Sequence, residues 1–276
     1  MKVAVLFFGE IRGTPDAWMD IYNKVVLPNN ADVFMHHVYY DPDFCKHMSA
    51  EEKKVFESYY NVLEKGVNYY PPKELFNIFK PKKILLDARP NYNAPELLEI
   101  MKKLHPMDAG ADNTSYEQVK MLYHTIRNQS DSRKKVVELK NMYEKDEHIT
   151  YDAMIMVRLD IALLDNIIIN RPLTHLYAKI YFHAHNCPSY CVPQIREQIL
   201  IGNSKSMDVI ASFHDAAPEL YLELCNYDSH FRQNEHFMAQ HIYRNGIELV
   251  DFNFPINYFA ADSINGIKRF NTRFIE

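Results

Sequence analysis

Ala153-Met154-Ile155-Met156-Val157 is an unbroken apolar run, with Tyr151-Asp152 before it and Arg158-Leu159-Asp160 after it. The run has the length of a strand. With no polar alternation, that strand is buried on both faces, as in the middle of a mostly parallel sheet. Such a sheet needs helices on its faces, so the run commits the chain to an α/β arrangement. Alternation places Arg158 and Asp160 on one side of the strand. Ligands of open α/β sheets collect at the carboxyl ends of strands. A cation and a carboxylate delivered there suit a phosphate and a divalent metal. The competing reading is a structural ion pair that caps the strand.

The rest of the chain fits that frame. Lys2 to Phe8 reads as a buried first strand and Gly9 to Thr14 as the turn after it. Asp16 to Val26 carries Trp18, Ile21, Tyr22 and Val25 at helical spacing and stops at Pro28, and Ala31 to Val38 is a second strand. This β-α-β opening predicts parallel strands and a right-handed crossover. Ser49 to Lys65, Pro71 to Phe79 and Pro95 to Leu104 read as helices, and Lys83 to Asp87 as a third strand. Asn113 to Asp146 is helical with a break expected at Asn128 to Ser132, because Asn, Ser and Asp compete with the helix for backbone hydrogen bonds.

Beyond Asp160 the character changes. Short β runs are expected at Asn166 to Asn170, Lys179 to His185 and Gln198 to Ile201. Separate helices follow at Ser204 to His214, Pro218 to Asn226 and Arg232 to Arg244, then a last strand, Ile247 to Phe252. There is no internal repeat and no long linker. Residues 1–276 therefore read as a single domain, with an α/β half for a nucleotide (1–160) and an α+β half for a second substrate (161–276).

Composition narrows the function classes. The 276 residues carry a net charge of −5 and no long basic run, which argues against nucleic acid as a partner. The N-terminal apolar run, Val3 to Phe8, is too short for a signal sequence or a membrane span. Four cysteines without a C-x-x-C pair fit a reducing compartment, so a cytoplasmic protein is expected.

Three further constellations bear on chemistry. Gly9-Glu10-Ile11-Arg12-Gly13 resembles a phosphate loop without matching either common glycine signature. Gly9 permits a sharp turn, Gly13 leaves room, and Arg12 offers a planar cation suited to a diphosphate. His183, His185, Cys187 and Cys191 are zinc-type ligands at a spacing unusual for structural zinc, so strand-face histidines are preferred there. Asp228, Glu235 and His236 cluster before and within the Arg232 helix. A carboxylate there can act as general base toward a sugar hydroxyl. An acid in a first helical turn is also stabilised by the macrodipole alone.

With these residues in view, the chain resembles a set of GT-A type glycosyltransferase-like proteins of bacteria and large viruses. The opening Val3 to Arg12 is similar to their apolar strand followed by G-x-x-R. Ala31-Asp32-Val33-Phe34-Met35-His36 is similar to their second strand, and Tyr151 to Asp160 to their strand ending R-x-D. A weaker echo runs through Ile201-Gly202-Asn203-Ser204, Met207-Asp208 and Asn234-Glu235.

The resemblance implies a GT-A-like fold with a Rossmann-type, mostly parallel central sheet. It implies a UDP- or GDP-sugar donor held by Gly9, Glu10, Arg12, Arg158 and Asp160, and a glycan or other hydroxyl acceptor. Asp160, Glu235 and Asp228 are the implied catalytic acids. Family members hold Mn²⁺ or Mg²⁺ with a D-x-D motif. Here the triplet is Arg158-Leu159-Asp160, so one acid is absent, Asp160 is the one metal ligand implied, and Arg158 takes part of the charge neutralisation. Two other readings stay open: a catalytically silent nucleotide-sugar-binding protein, and a metal-dependent hydrolase built on the His183 to Cys191 cluster.

Overall fold

In the computed structural model, residues 1–11, 15–39, 73–88, 116–181, 194–224, 234–252 and 256–258 are described. Strand β1 (Val3–Glu10) is followed by helix α1 (Pro15–Ile21), which continues as a π turn (Tyr22–Val26) and a 3₁₀ turn (Leu27–Asn29). Pro28 sits inside that last turn, and the chain leaves it through Asn30 in the left-handed region at φ 44°. Then come β2 (Asp32–Tyr39), α2 (Lys73–Phe79), β3 (Lys83–Ala88), α3 (Tyr116–Glu147), β4 (Ala153–Val157), β5 (Ile161–Leu163), β6 (Leu176–Tyr181) and β7 (Gln194–Gly202). The order closes with α4 (Ser204–Leu224), α5 (Asn234–Arg244), β8 (Leu249–Asp251) and β9 (Ile256–Tyr258).

The main sheet has seven strands in the order β3-β2-β1-β4-β7-β6-β8, and β5 pairs with β9 apart from it. The β3, β2, β1 and β4 strands are mutually parallel, whereas β7 is antiparallel to both of its neighbours. This is the α/β, mostly parallel, helix-flanked sheet expected of a GT-A-like fold. Its inner strands are buried on both faces, as their unbroken apolar runs require. Ala4, Leu6, Phe8, Met154 and Met156 pack on one side with α3, α4 and α5. Val3, Val5, Phe7, Ala153, Ile155 and Val157 pack on the other with α1 and α2. Each such large side chain stabilises the fold by about 1.5–3 kcal/mol.

Three local expectations are corrected. The Asn128 to Ser132 segment does not break its helix; α3 runs unbroken for 32 residues. Its serines reach partners outside the helix, Asp131 bonds along the helix, and Ser130 Oγ also donates to the Arg127 carbonyl at 3.0 Å. Ser132 Oγ accepts from the Gly9 N–H at 2.6 Å, Ser130 Oγ meets His214 Nδ1 at 3.1 Å, and Asp131 pairs with Lys135 at 2.8 Å.

Ser204 to Leu224 is likewise one helix with Pro218 inside it. A proline there leaves the carbonyl four residues back without its helical donor. That carbonyl belongs to His214, and Arg127 Nη1 donates to it.

Residues 166 to 170 form no strand, because their backbone groups bond elsewhere. The Ile167 N–H donates to Lys24 O at 2.9 Å, and the Ile169 N–H to Asn29 Oδ1 at 2.7 Å.

Candidate active site at the carboxyl edge of the sheet

The parallel strands β1, β2 and β4 all point their carboxyl ends to one edge, and β7, running the other way, starts there. The Arg158 N–H donates to Gln198 O at 3.1 Å, fixing the end of β4 against the first half of β7. Between the pairs Tyr177↔Ile201 and Lys179↔Arg196, β7 has Glu197 to Leu200 where β6 has only Ala178. Such irregularities re-aim side chains and gather beside functional sites. Ile195 and Leu200 both reach the α3 side of the sheet, while Ile199 and Ile201 reach the other. The phase therefore changes within the bulge, and Glu197, two residues after Ile195, keeps to the α3 side.

That shift brings Glu197 to Arg133 of α3. Arg133 Nη2 lies 2.5 Å from Glu197 Oε2, and the two side chains are 0% and 4% exposed. The guanidinium carbon also lies 4.7 Å from the Phe8 ring centroid. Burial opposes the charged form of Arg133 and Glu197 favours it. An arginine keeps its proton under such opposition. Glu197 is the carboxylate that the buried guanidinium engages.

Arg158 and Asp160 lie on one side of the chain leaving β4. Arg158 Nε donates to Asp160 Oδ1 at 2.8 Å and Arg158 Nη2 to Asp160 Oδ2, a bidentate pair. Glu235, in the first turn of α5, joins the same field. Burial pushes its carboxyl up to about 7, the negative charge of Glu197 adds to the rise, and Arg133 and Arg158 oppose it. With Glu235 protonated, two arginines balance two carboxylates. Once Glu235 gives up its proton, the group is one charge negative. An acid held near neutrality beside fixed charges is a common feature of catalytic sites.

Beside this group, Gly9 is the penultimate residue of β1 at φ +90°, and an added Cβ would meet nothing within 4 Å among the described residues. Glu10 is the last residue of β1. The neighbouring strand end is held by a buried network. His36 Nδ1 meets Ser132 Oγ at 2.7 Å, and His36 Nε2 meets Asp87 Oδ2 at 3.1 Å. Serine, histidine and aspartate in line suggest a nucleophile, but Ser132 is 0% exposed and its hydroxyl already binds the Gly9 N–H and the His36 carbonyl. The set ties α3 to the strand ends.

His37 faces the other side of the sheet and shares a hydrogen bond with the Gly9 carbonyl through Nδ1 at 3.0 Å. Burial drives its pKa down to about 4. Folded His37 therefore binds fewer protons than unfolded His37 between pH 6.5 and 4, so stability falls as pH drops through that window, by roughly 3 kcal/mol. Urea midpoints at pH 7 and pH 4.5 for wild type and His37→Gln should show the smaller acid loss in the variant. Equal losses would place the acid sensitivity elsewhere.

Of the sequence-derived site residues, Gly9, Glu10, Arg158, Asp160 and Glu235 stand at this edge. Arg12, Asp228, His183, His185, Cys187 and Cys191 lie outside the described residues. Asn203, part of the weak echo, caps α4: its Oδ1 accepts the Ser206 N–H at 2.9 Å. Sequence reasoning missed Arg133, which sits in an unremarkable Ser-Arg-Lys-Lys stretch. It also missed Glu197, whose one signal is a carboxylate inside a strand otherwise rich in isoleucine.

The donor set fits a divalent cation poorly. Arg158 engages both oxygens of Asp160, so a cation placed there would meet a guanidinium. No group of three or more His, Cys, Asp or Glu side chains gathers around a common point among the described residues. No described helix is long and apolar enough to cross a membrane.

No family model and no curated protein sequence matches this chain. Among solved structures, it is similar to mouse xyloside xylosyltransferase 1 in its apo form, at 10% identity and a TM-score of 0.35, over 91% of this chain and 84% of that one.

Proposed function

We propose that this chain is a glycosyltransferase, moving a sugar from a UDP- or GDP-sugar to a hydroxyl of a glycan or other acceptor. One observation carries the reading. Arg133, Arg158, Asp160, Glu197 and Glu235 are drawn from the end of β4, a bulge in β7 and two helices into one charged group at the ligand-binding edge of an α/β sheet. The resemblance of the Gly9, Asp32 and Arg158 segments to GT-A type enzymes supports it.

In this reading the donor diphosphate lies between the Gly9 turn and the end of β4. The acceptor oxygen forms a bond to the anomeric carbon as the bond from that carbon to the diphosphate breaks. Negative charge grows on the leaving diphosphate, where fixed cations lower the barrier most. Arg158 supplies that charge, and release of the diphosphate is balanced by its return to Asp160. Glu235 takes the acceptor hydroxyl proton. Cation chemistry is assigned to arginine rather than to Mn²⁺ or Mg²⁺, because Asp160 is already paired.

Asp160→Ala should abolish transfer while leaving the fold intact. A variant that keeps more than about a tenth of the wild-type rate, a loss under about 1.4 kcal/mol, would remove Asp160 from the mechanism. The bidentate hold of Arg158 on Asp160 also favours a second reading, a nucleotide-sugar-binding protein without turnover. Titration calorimetry with a nucleotide-sugar panel, with and without Mn²⁺, followed by product analysis, separates the two. Binding with donor turnover supports the transferase, and binding without it supports the silent protein.

A further inference from the structure

Gly9, the penultimate residue of β1, has φ +90°, a conformation open to glycine and rarely adopted by other residues. That freedom leaves the turn undefined unless something outside the glycine fixes it. Both of its main-chain polar groups are held by side chains. The Gly9 N–H donates to Ser132 Oγ at 2.6 Å, and that oxygen lies 2.7 Å from His36 Nδ1. The Gly9 carbonyl lies 3.0 Å from His37 Nδ1. A carbonyl only accepts, so Nδ1 carries the proton of the His37 ring. Nε2 of that ring has no hydrogen-bond partner among the described residues, so the bond to Gly9 is the ring's one hydrogen bond among them. In the parallel register of β1 and β2, His36 and His37 stand opposite Phe8 and Gly9. Successive strand residues face opposite sides of a sheet, so the two histidines act on Gly9 from its two faces, one directly and one through Ser132. His36, His37 and Ser132 are each 1% exposed or less, too buried to touch a ligand themselves.

We propose that His37 and Ser132 are positioning residues, which lock the main chain of Gly9 from opposite faces of the sheet and present the turn to the donor diphosphate already in its bound shape. This rests on the nucleotide-sugar reading above, which sets the diphosphate against that turn. Fixing the backbone of one residue costs free energy whenever it is done. Two buried side chains do it here as the chain folds, so the cost does not fall on the donor when it binds. A turn released on one side has to be ordered by the donor instead. One residue's backbone freedom corresponds to a loss of about 5- to 30-fold in donor affinity.

The test is calorimetric titration of the full chain with UDP and GDP, with melting temperatures alongside, for wild type, His37→Leu and His37→Asn. Leucine fills the space without an N–H, whereas the asparagine amide puts an N–H close to the place of Nδ1. His37→Leu should bind the better-bound nucleotide about 5- to 30-fold more weakly than wild type does. His37→Asn should recover most of that affinity, although its smaller side chain packs less well and lowers the melting temperature. In transfer assays the His37→Leu loss should appear in donor KM, with acceptor KM unchanged. Should His37→Leu not fold, Ser132→Ala releases the other side of Gly9 and should show the same weakening. Wild-type affinity in a less stable variant would mean that these side chains serve the core alone. Equal weakening in His37→Leu and His37→Asn would mean that the volume of the ring matters and its N–H does not. Either result overturns the proposal and leaves the nucleotide-sugar reading standing. If wild type binds neither nucleotide, that reading falls and the proposal with it.

Discussion

Replacing Glu235 with Gln should lower kcat for sugar transfer by a factor of about 10² to 10⁴ while donor affinity stays nearly unchanged. The amide keeps the size and hydrogen-bonding reach of the acid but cannot take the acceptor proton. The pH profile gives an independent readout. Burial, with Glu197, holds the Glu235 carboxyl near 7, so the wild-type rate should rise as pH passes through that value. The variant should lose that rise. Stability moves the other way. Folded Glu235 stays protonated between its usual 4.5 and about 7 while the unfolded residue ionises, so wild-type stability falls across that window as pH rises. The loss is roughly 3 kcal/mol, and Glu235→Gln should be spared it. Asp228→Asn is the companion variant, since Asp228 is the second acid the sequence offers. Near wild-type transfer in both would assign the base elsewhere or make the enzyme retaining.

Arg133→Met should destabilise the protein by about 3–5 kcal/mol, because it removes the guanidinium paired with the buried Glu197. That is a large part of the margin by which a domain of this kind is stable. Arg133→Met combined with Glu197→Leu should recover most of the loss, since removing both charges removes the desolvation cost as well. The comparison is made by urea denaturation at pH 7. Arg133→Met within about 1 kcal/mol of wild type would mean that water reaches Glu197 and that the site is not sealed. Glu235 is a second readout. Arg133 opposes the rise of its pKa and Glu197 promotes it, so the double variant should move the pH profile less than either single change.

Much of the α/β frame was legible because burial on both faces writes itself into composition. Val3 to Phe8 and Ala153 to Val157 have no polar alternation, and only an inner strand covered on both sides accepts that. Arg158 and Asp160 were placed on one side of the chain by strand geometry alone, and they form a bidentate pair. The errors arose where a local rule met a distant partner. Asn128 to Ser132 is poor helix material in isolation, yet Gly9, His36 and His214 engage its two serines from outside the helix. Pro218 breaks most helices, but Arg127 supplies the donor its ring removes. Residues 166 to 170 have strand-like composition, but Lys24 and Asn29 take their backbone groups.

The sequence by itself determined which strands are interior, that β1 and β4 carry glycine and charge to their carboxyl ends, and that Glu235 begins a helix. These follow from short-range periodicity, capping chemistry and the apolar run lengths. Only the tertiary structure decided that Arg133, 24 positions before the end of β4 at Val157, reaches Glu197 on an antiparallel strand. It also decided that a bulge in β7 turns Glu197 toward the α3 side of the sheet, and that Glu235 shares their field. The physical reason is that a buried charge is set by what surrounds it in space. A change of strand phase or a helix crossing leaves no mark in the residues immediately around an arginine or a glutamate.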